Sequence, residues 1–278
     1  MKFGLHPHWG VFLTEARVGD WSTFAVNQGF AALEIRIDFR MLETGIERFL
    51  DPKVVSILQN ARRRGLEIQV GIEPYESHLS SWRARRREDS LQRVHRVIAF
   101  LEESLPPRFI FVYPGKTDGR RELGTEYLID SLRALRDSFP YARIGAALGA
   151  EGECLKTPEE TRRLLSQIRD LDLVLDAAWA LSAARADAGR LKSLVQAAGE
   201  RVYSVHWRNL ADANAQTGQP LSRGRFLDAD FFSLLALLPE NREIRHVLDY
   251  RDRARKHYLA DKDFLEELAF RLRRRSST

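Results

Sequence analysis

Asp176, His206 and Asp249 are two carboxylates and an imidazole, each closing a short apolar run, and together they form an oxygen and nitrogen donor set without thiolate. Such a set suits one divalent cation, Mn2+, Mg2+, Co2+ or Zn2+, acting as a Lewis acid that polarises a carbonyl while a nearby carboxylate takes the adjacent proton. A purely structural polar network of the same three is the alternative. Other polar residues fall at equivalent places: His6 and His8 follow the first apolar run, Glu34 lies in the second and Glu73 ends the third. In Leu33-Glu34-Ile35-Arg36-Ile37, strict alternation puts Glu34 and Arg36 on one face, either as an internal ion pair or as substrate-binding groups. Trp9, Tyr75, Tyr113, Trp179 and Trp207 lie near run ends, where an aromatic ring stacks on a sugar or base, or simply packs. Arg223 and Arg225 have the fork geometry to grip a phosphate or carboxylate, with a solvated loop as the plain alternative.

The elements that must position these residues are short apolar runs at 3–5, 32–37, 66–72, 109–113, 143–148, 173–176, 202–206 and 244–249, each of strand length and composition. Between them run stretches of helical periodicity, among them 52–64, 90–103, 126–138, 158–169 and 229–238. Asp51-Pro52 and Thr157-Pro158 pair an N-cap with proline in the first turn, and Glu160 completes a capping box. Gly29, Gly65 and Gly199 stand where three helices should stop. Eight strand and helix pairs predict an α/β fold closed into a single (β/α)8 TIM barrel, one domain over residues 1–278. A doubly wound open sheet would show the same alternation, but no glycine-rich phosphate fingerprint follows the first strand. The longest interruptions, 73–87 and 208–225, follow the third and seventh strands, on the face where barrels build active sites.

Composition sets the outer limits. The chain is 44% hydrophobic and 30% charged, a globular balance. No apolar run nears the roughly 18 residues of a membrane span, and the opening MKFGLHPHWG lacks the order of a secretory signal, so a cytoplasmic protein without a membrane partner is expected. Cys154 is the only cysteine, which excludes an intrachain disulfide and a cysteine-rich zinc site. The net charge of +5 is spread by arginines interleaved with acids, and the densest clusters, 62–64, 83–87 and 271–275, read as solvated helix faces.

The strand ends resemble the xylose-isomerase-like superfamily: Gly29-Phe30 before Leu33-Glu34-Ile35, then Glu73-Pro74-Tyr75, Tyr113-Pro114-Gly115, Val174-Leu175-Asp176, Val205-His206 and Pro220-Leu221-Ser222-Arg223-Gly224. The likeness spans nearly the whole chain. The third and fourth units are similar to endonuclease IV, with Glu73 and Tyr113 standing where that family carries histidines. Trp179 replaces a further histidine, and Gln216 and Gly218 fall where an Asp-x-His is needed, which argues against a trinuclear zinc cluster. The resemblance to ketose 3-epimerases implies one metal held by glutamate, aspartate, histidine and glutamate from strands five to eight. Asp176 and His206 match, Asp249 shortens the last glutamate, and Gly149 stands where the first should be. In those epimerases the two glutamates also act as acid and base on the substrate carbon. The resemblance therefore casts Asp249 as the first acid/base and Glu73 or Glu151 as the second. Glu151, two residues past Gly149, would point to the same side but about 6–7 Å further along an extended chain. Glu153 shares that difficulty.

The leading expectation is thus a divergent sugar isomerase or epimerase, moving a proton on a small polyhydroxylated carbonyl substrate with one divalent metal at Asp176, His206 and Asp249. His6, Glu34, Tyr75, Tyr113, Trp179 and Arg223 would bind this carbohydrate-like ligand. A non-catalytic, metal-free barrel that binds or scaffolds is the alternative, and an endonuclease IV-like phosphodiesterase acting on nucleic acid is the least favoured.

Overall fold

The computed structural model describes residues 1–7, 14–38, 45–72, 78–148, 154–186, 188–212, 218–240, 243–250 and 254–276. Eight parallel strands close into a barrel: β1 (Lys2–His6), β2 (Ala32–Ile37), β3 (Glu67–Ile72), β4 (Phe109–Val112), β5 (Ile144–Leu148), β6 (Asp172–Asp176), β7 (Val202–Trp207) and β10 (Arg245–Asp249). The order around the barrel is β1-β10-β7-β6-β5-β4-β3-β2. A short antiparallel ribbon of β8 (Asn209–Leu210) and β9 (Gly218–Gln219) lies between β7 and β10 in the chain. The expected (β/α)8 barrel is what forms.

Helices follow the strands: α1 (Glu15–Asn27), α2 (Pro52–Arg63), α3 (Ala84–Ser104), α4 (Arg121–Ser138), α5 (Pro158–Gln167), α6 (Ala177–Ala186), α7 (Ala188–Ala198), α8 (Asp228–Leu237) and α9 (Arg255–Ser276). Their ends show the capping chemistry expected. Asp51 accepts from the Lys53 and Val54 amides at 2.9 Å, and Thr157 and Glu160 form the reciprocal capping box. Gly29, Gly65 and Gly199 take left-handed φ of 68°, 93° and 52° just beyond three helices. Two helices begin earlier than their apolar periodicity suggests, α3 at Ala84 and α4 at Arg121. In α3 the arginine-rich first turn carries no apolar signal, yet Arg87 is fixed by the Ser81 carbonyl at 2.6 Å and lies over the Tyr127 ring. No helix among the described residues is long and apolar enough to cross a membrane.

The main core lies between the barrel and its helices. A second apolar group of Phe109, Phe111, Tyr113, Ala147, Val174 and Tyr203 forms a separate cluster of side chains carried on β4 to β7. Ion pairs occupy the N-terminal ends of the strands: Arg245 grips Glu67 bidentately at 2.9 and 2.7 Å, and Arg143 meets Asp172 at 2.5 Å. Both guanidiniums lie over the Tyr203 ring. That end is built for stability, which leaves the C-terminal ends of the strands to carry chemistry.

Candidate functional site

Alternation along β2 and the register of its neighbours bring the strand-end polar groups together. Asp249 is the register partner of His6 across β10 and β1, and Asp176 is that of His206 across β6 and β7. Arg36 reaches from β2 to both ends of this arc. Its Nε donates to Glu34 Oε1 at 2.5 Å, while Nη2 donates to Asp249 Oδ2 at 2.9 Å and approaches His206 Nδ1 at 3.3 Å. A guanidinium has only hydrogens to offer, so Nδ1 of His206 accepts, and its Nε2–H is donated to Glu34 Oε2 at 2.9 Å. Asp249 Oδ1 accepts from His6 Nδ1–H at 2.9 Å. Phe111 and Tyr113 set their rings 5.6 and 5.3 Å from the Arg36 guanidinium carbon.

Burial dominates the electrostatics of both carboxylates and is overcome at both. Desolvation pushes Glu34 upward, but the His206 ring and the Arg36 guanidinium outweigh it and hold the carboxyl down to about 2. Desolvation is also the largest influence on Asp249, yet Arg36, His6 and His206 together hold it well below the ordinary carboxylate range. Asp176 is satisfied differently. Its Oδ1 accepts the Trp179 amide of the first α6 turn at 2.9 Å, and its Oδ2 pairs with Arg208 at 2.7 Å. Among the described residues, the three carboxylates Glu34, Asp176 and Asp249 thus pair with the guanidiniums Arg36 and Arg208.

The structure brings His6, Glu34, Tyr113, His206 and Asp249 into one network, with Asp176 in the neighbouring strand. Trp179 is half-buried against the helix core, and Arg223 is exposed in the loop after β9. Glu73, Tyr75 and Glu151, like His8, Trp9, Gly149, Glu153 and Gln216, lie outside the described residues. Arg208, the ion-pair partner of Asp176, is the candidate-site residue that strand-end reading missed. Its signal was its place two residues beyond His206, which puts both on one face of an extended chain.

The set Asp176, His206 and Asp249 does not fit a divalent cation as it stands. Asp176 gives its oxygens to a helix amide and Arg208, while Asp249 gives its own to His6 and Arg36. Among the described residues no group of three or more His, Cys, Asp and Glu could hold a metal ion.

No family model and no curated protein matches the chain. Solved structures do. A D-tagatose 3-epimerase-like protein aligns at 18% identity over 99% of this chain and 100% of its own, with a TM-score of 0.69. An L-ribulose 3-epimerase aligns at 13% identity over 100% and 97%, with a TM-score of 0.71. Endonuclease IV from Thermus thermophilus aligns at 19% identity over 96% and 100%, with a TM-score of 0.69. Joined to the closed eight-strand parallel barrel, these likenesses show that this chain shares the (β/α)8 barrel fold of those structures.

Proposed function

We propose that the C-terminal mouth of this barrel binds a small polyhydroxylated carbonyl compound and moves a proton on the carbon beside the carbonyl, as an isomerase or epimerase does. The observation that carries this reading is the His6 to Asp249 pair. Asp249, held anionic, fixes His6 by its Nδ1–H at 2.9 Å, and no hydrogen bond engages Nε2 among the described residues. Nε2 is then the atom that takes the proton, and Asp249 stabilises the imidazolium that results, the division of labour between an orienting acid and an imidazole base. The ketose 3-epimerase folds among the structural neighbours support the substrate class. No step runs through a metal, because the donors are engaged elsewhere.

The test is deuterium wash-in from D2O at the carbon next to the carbonyl, followed by NMR over a panel of ketoses, ketose phosphates and keto acids. Wild type is expected to exchange one of them, and His6→Gln to slow that exchange by about 100-fold or more. Exchange by neither protein, with a panel member still raising the melting temperature, would overturn the catalytic reading. It would leave the binding-protein reading, which is favoured by carboxylates already neutralised within the chain.

A further inference from the structure

We infer that a cavity at the N-terminal end of the barrel, on the face opposite the candidate site, binds a small phosphorylated molecule that carries a planar ring. The cavity measures about 410 Å3, within the roughly 300–1,000 Å3 of small-molecule pockets, and lies between the end of α2 and the starts of β3, β4 and β5. Three guanidiniums from separate segments line it: Arg62 in the last turn of α2, Arg108 just before β4 and Arg143 just before β5. The side chains of Arg62 and Arg108 make no hydrogen bond or ion pair among the described residues. Arg143 is held in place. Its Nε donates to Asp172 at 2.5 Å and its guanidinium carbon lies 4.3 Å from the centre of the Tyr203 ring, while no hydrogen bond engages its two Nη groups among the described residues. Tyr141 stands at the same cavity and is 96% exposed.

The acids at hand are already engaged. Glu67, the carboxylate of the lining, gives both oxygens to Arg245 at 2.9 and 2.7 Å, and Asp172 answers Arg143. Like charges gathered on a concave wall build a positive potential there, which a bound anion relieves. A phosphate monoester suits three guanidiniums better than a carboxylate does, since it offers three acceptor oxygens and close to two negative charges. Tyr141 supplies the other half of the recognition. A tyrosine ring left in water beside free guanidiniums gains from a planar ring stacked on it, and the stack places the ligand's phosphate among the arginines. This inference does not rest on proton transfer at the opposite end, and its readouts are affinity and melting temperature.

The experiment titrates the full-length protein at low ionic strength with AMP, adenosine and inorganic phosphate, by calorimetry and thermal shift, in wild type, Arg62→Ala, Arg108→Ala, Arg62→Ala/Arg108→Ala, Tyr141→Ala and His6→Gln. Wild type is expected to bind about one AMP per chain more tightly than either adenosine or phosphate, with a rise in melting temperature. Arg62→Ala and Arg108→Ala should each weaken AMP about tenfold. Tyr141→Ala should weaken AMP by about the same factor and leave phosphate unchanged. His6→Gln, at the far end of the barrel, should bind AMP as wild type does. The three replaced side chains at the cavity are exposed, so these variants are expected to keep the melting temperature of free wild type. Where an alanine variant does not, the glutamine variant at the same position decides by the same criterion. Absence of saturable binding by wild type would overturn the inference, as would AMP held no more tightly than phosphate. AMP binding that survives Arg62→Ala/Arg108→Ala, or that is lost in His6→Gln, would put the ligand elsewhere and overturn it too.

Discussion

Arg36 owes its room to Gly71. The two are register partners on β2 and β3, and a Cβ on Gly71 would come within 2.8 Å of Arg36 Cδ and 2.5 Å of the Phe111 ring edge. Neither neighbour can yield cheaply, since Arg36 is held by Glu34 and Asp249 at once. Gly71→Ala is therefore expected to cost about 1–3 kcal/mol in denaturant unfolding, the usual penalty of overpacking. Combining it with Phe111→Leu should recover part of that loss. A Gly71→Ala chain of wild-type stability would show that the glycine is not what admits the arginine.

The barrel was legible for a physical reason. Parallel barrel strands are covered on both faces and read as short apolar runs, and all eight appear where those runs lie. Caps were legible because proline, threonine and aspartate announce them locally. Glu34 beside Arg36 was also readable, since alternation alone puts them on one face. The grip of Arg36 on Asp249 and His206 was not, because it crosses the barrel between residues 213 and 170 positions apart in sequence. No local pattern encodes which cation answers which acid there. The first turn of α3 was hidden for a different reason: a run of arginines carries no apolar period, and its helix is secured by tertiary contacts instead.

Arg208 and Asp176 make a separable pair. Both are largely buried, and among the described residues the carboxylate also accepts the Trp179 amide. Arg208→Met strands a buried negative charge and is expected to destabilise the protein by about 3–5 kcal/mol. Adding Asp176→Asn removes that charge while keeping an oxygen for the amide. The double variant should therefore be more stable than Arg208→Met alone, with a coupling of about 2 kcal/mol in the thermodynamic cycle. Additive effects would mean that the pair is screened by water and contributes little.

His246 lies near the N-terminal end of β10, away from the candidate site, and its effect on stability has a definite sign. Burial holds the ring down to about 3, against an ordinary 6.5, and it sits neutral with Nδ1 accepting the Trp207 indole N–H at 3.0 Å. The unfolded chain takes up a proton here as pH falls through 6.5, whereas the folded chain does not until about 3. The contribution of His246 is thus complete above pH 6.5 and is lost progressively as pH falls from 6.5 toward 3. His246→Gln keeps an acceptor for Trp207 and removes the titration. Between pH 6.5 and 4 its melting temperature should fall less steeply than that of wild type, by the equivalent of about one proton per chain. Parallel slopes in the two proteins would mean that His246 is protonated in the folded state, which its contact with the indole donor forbids.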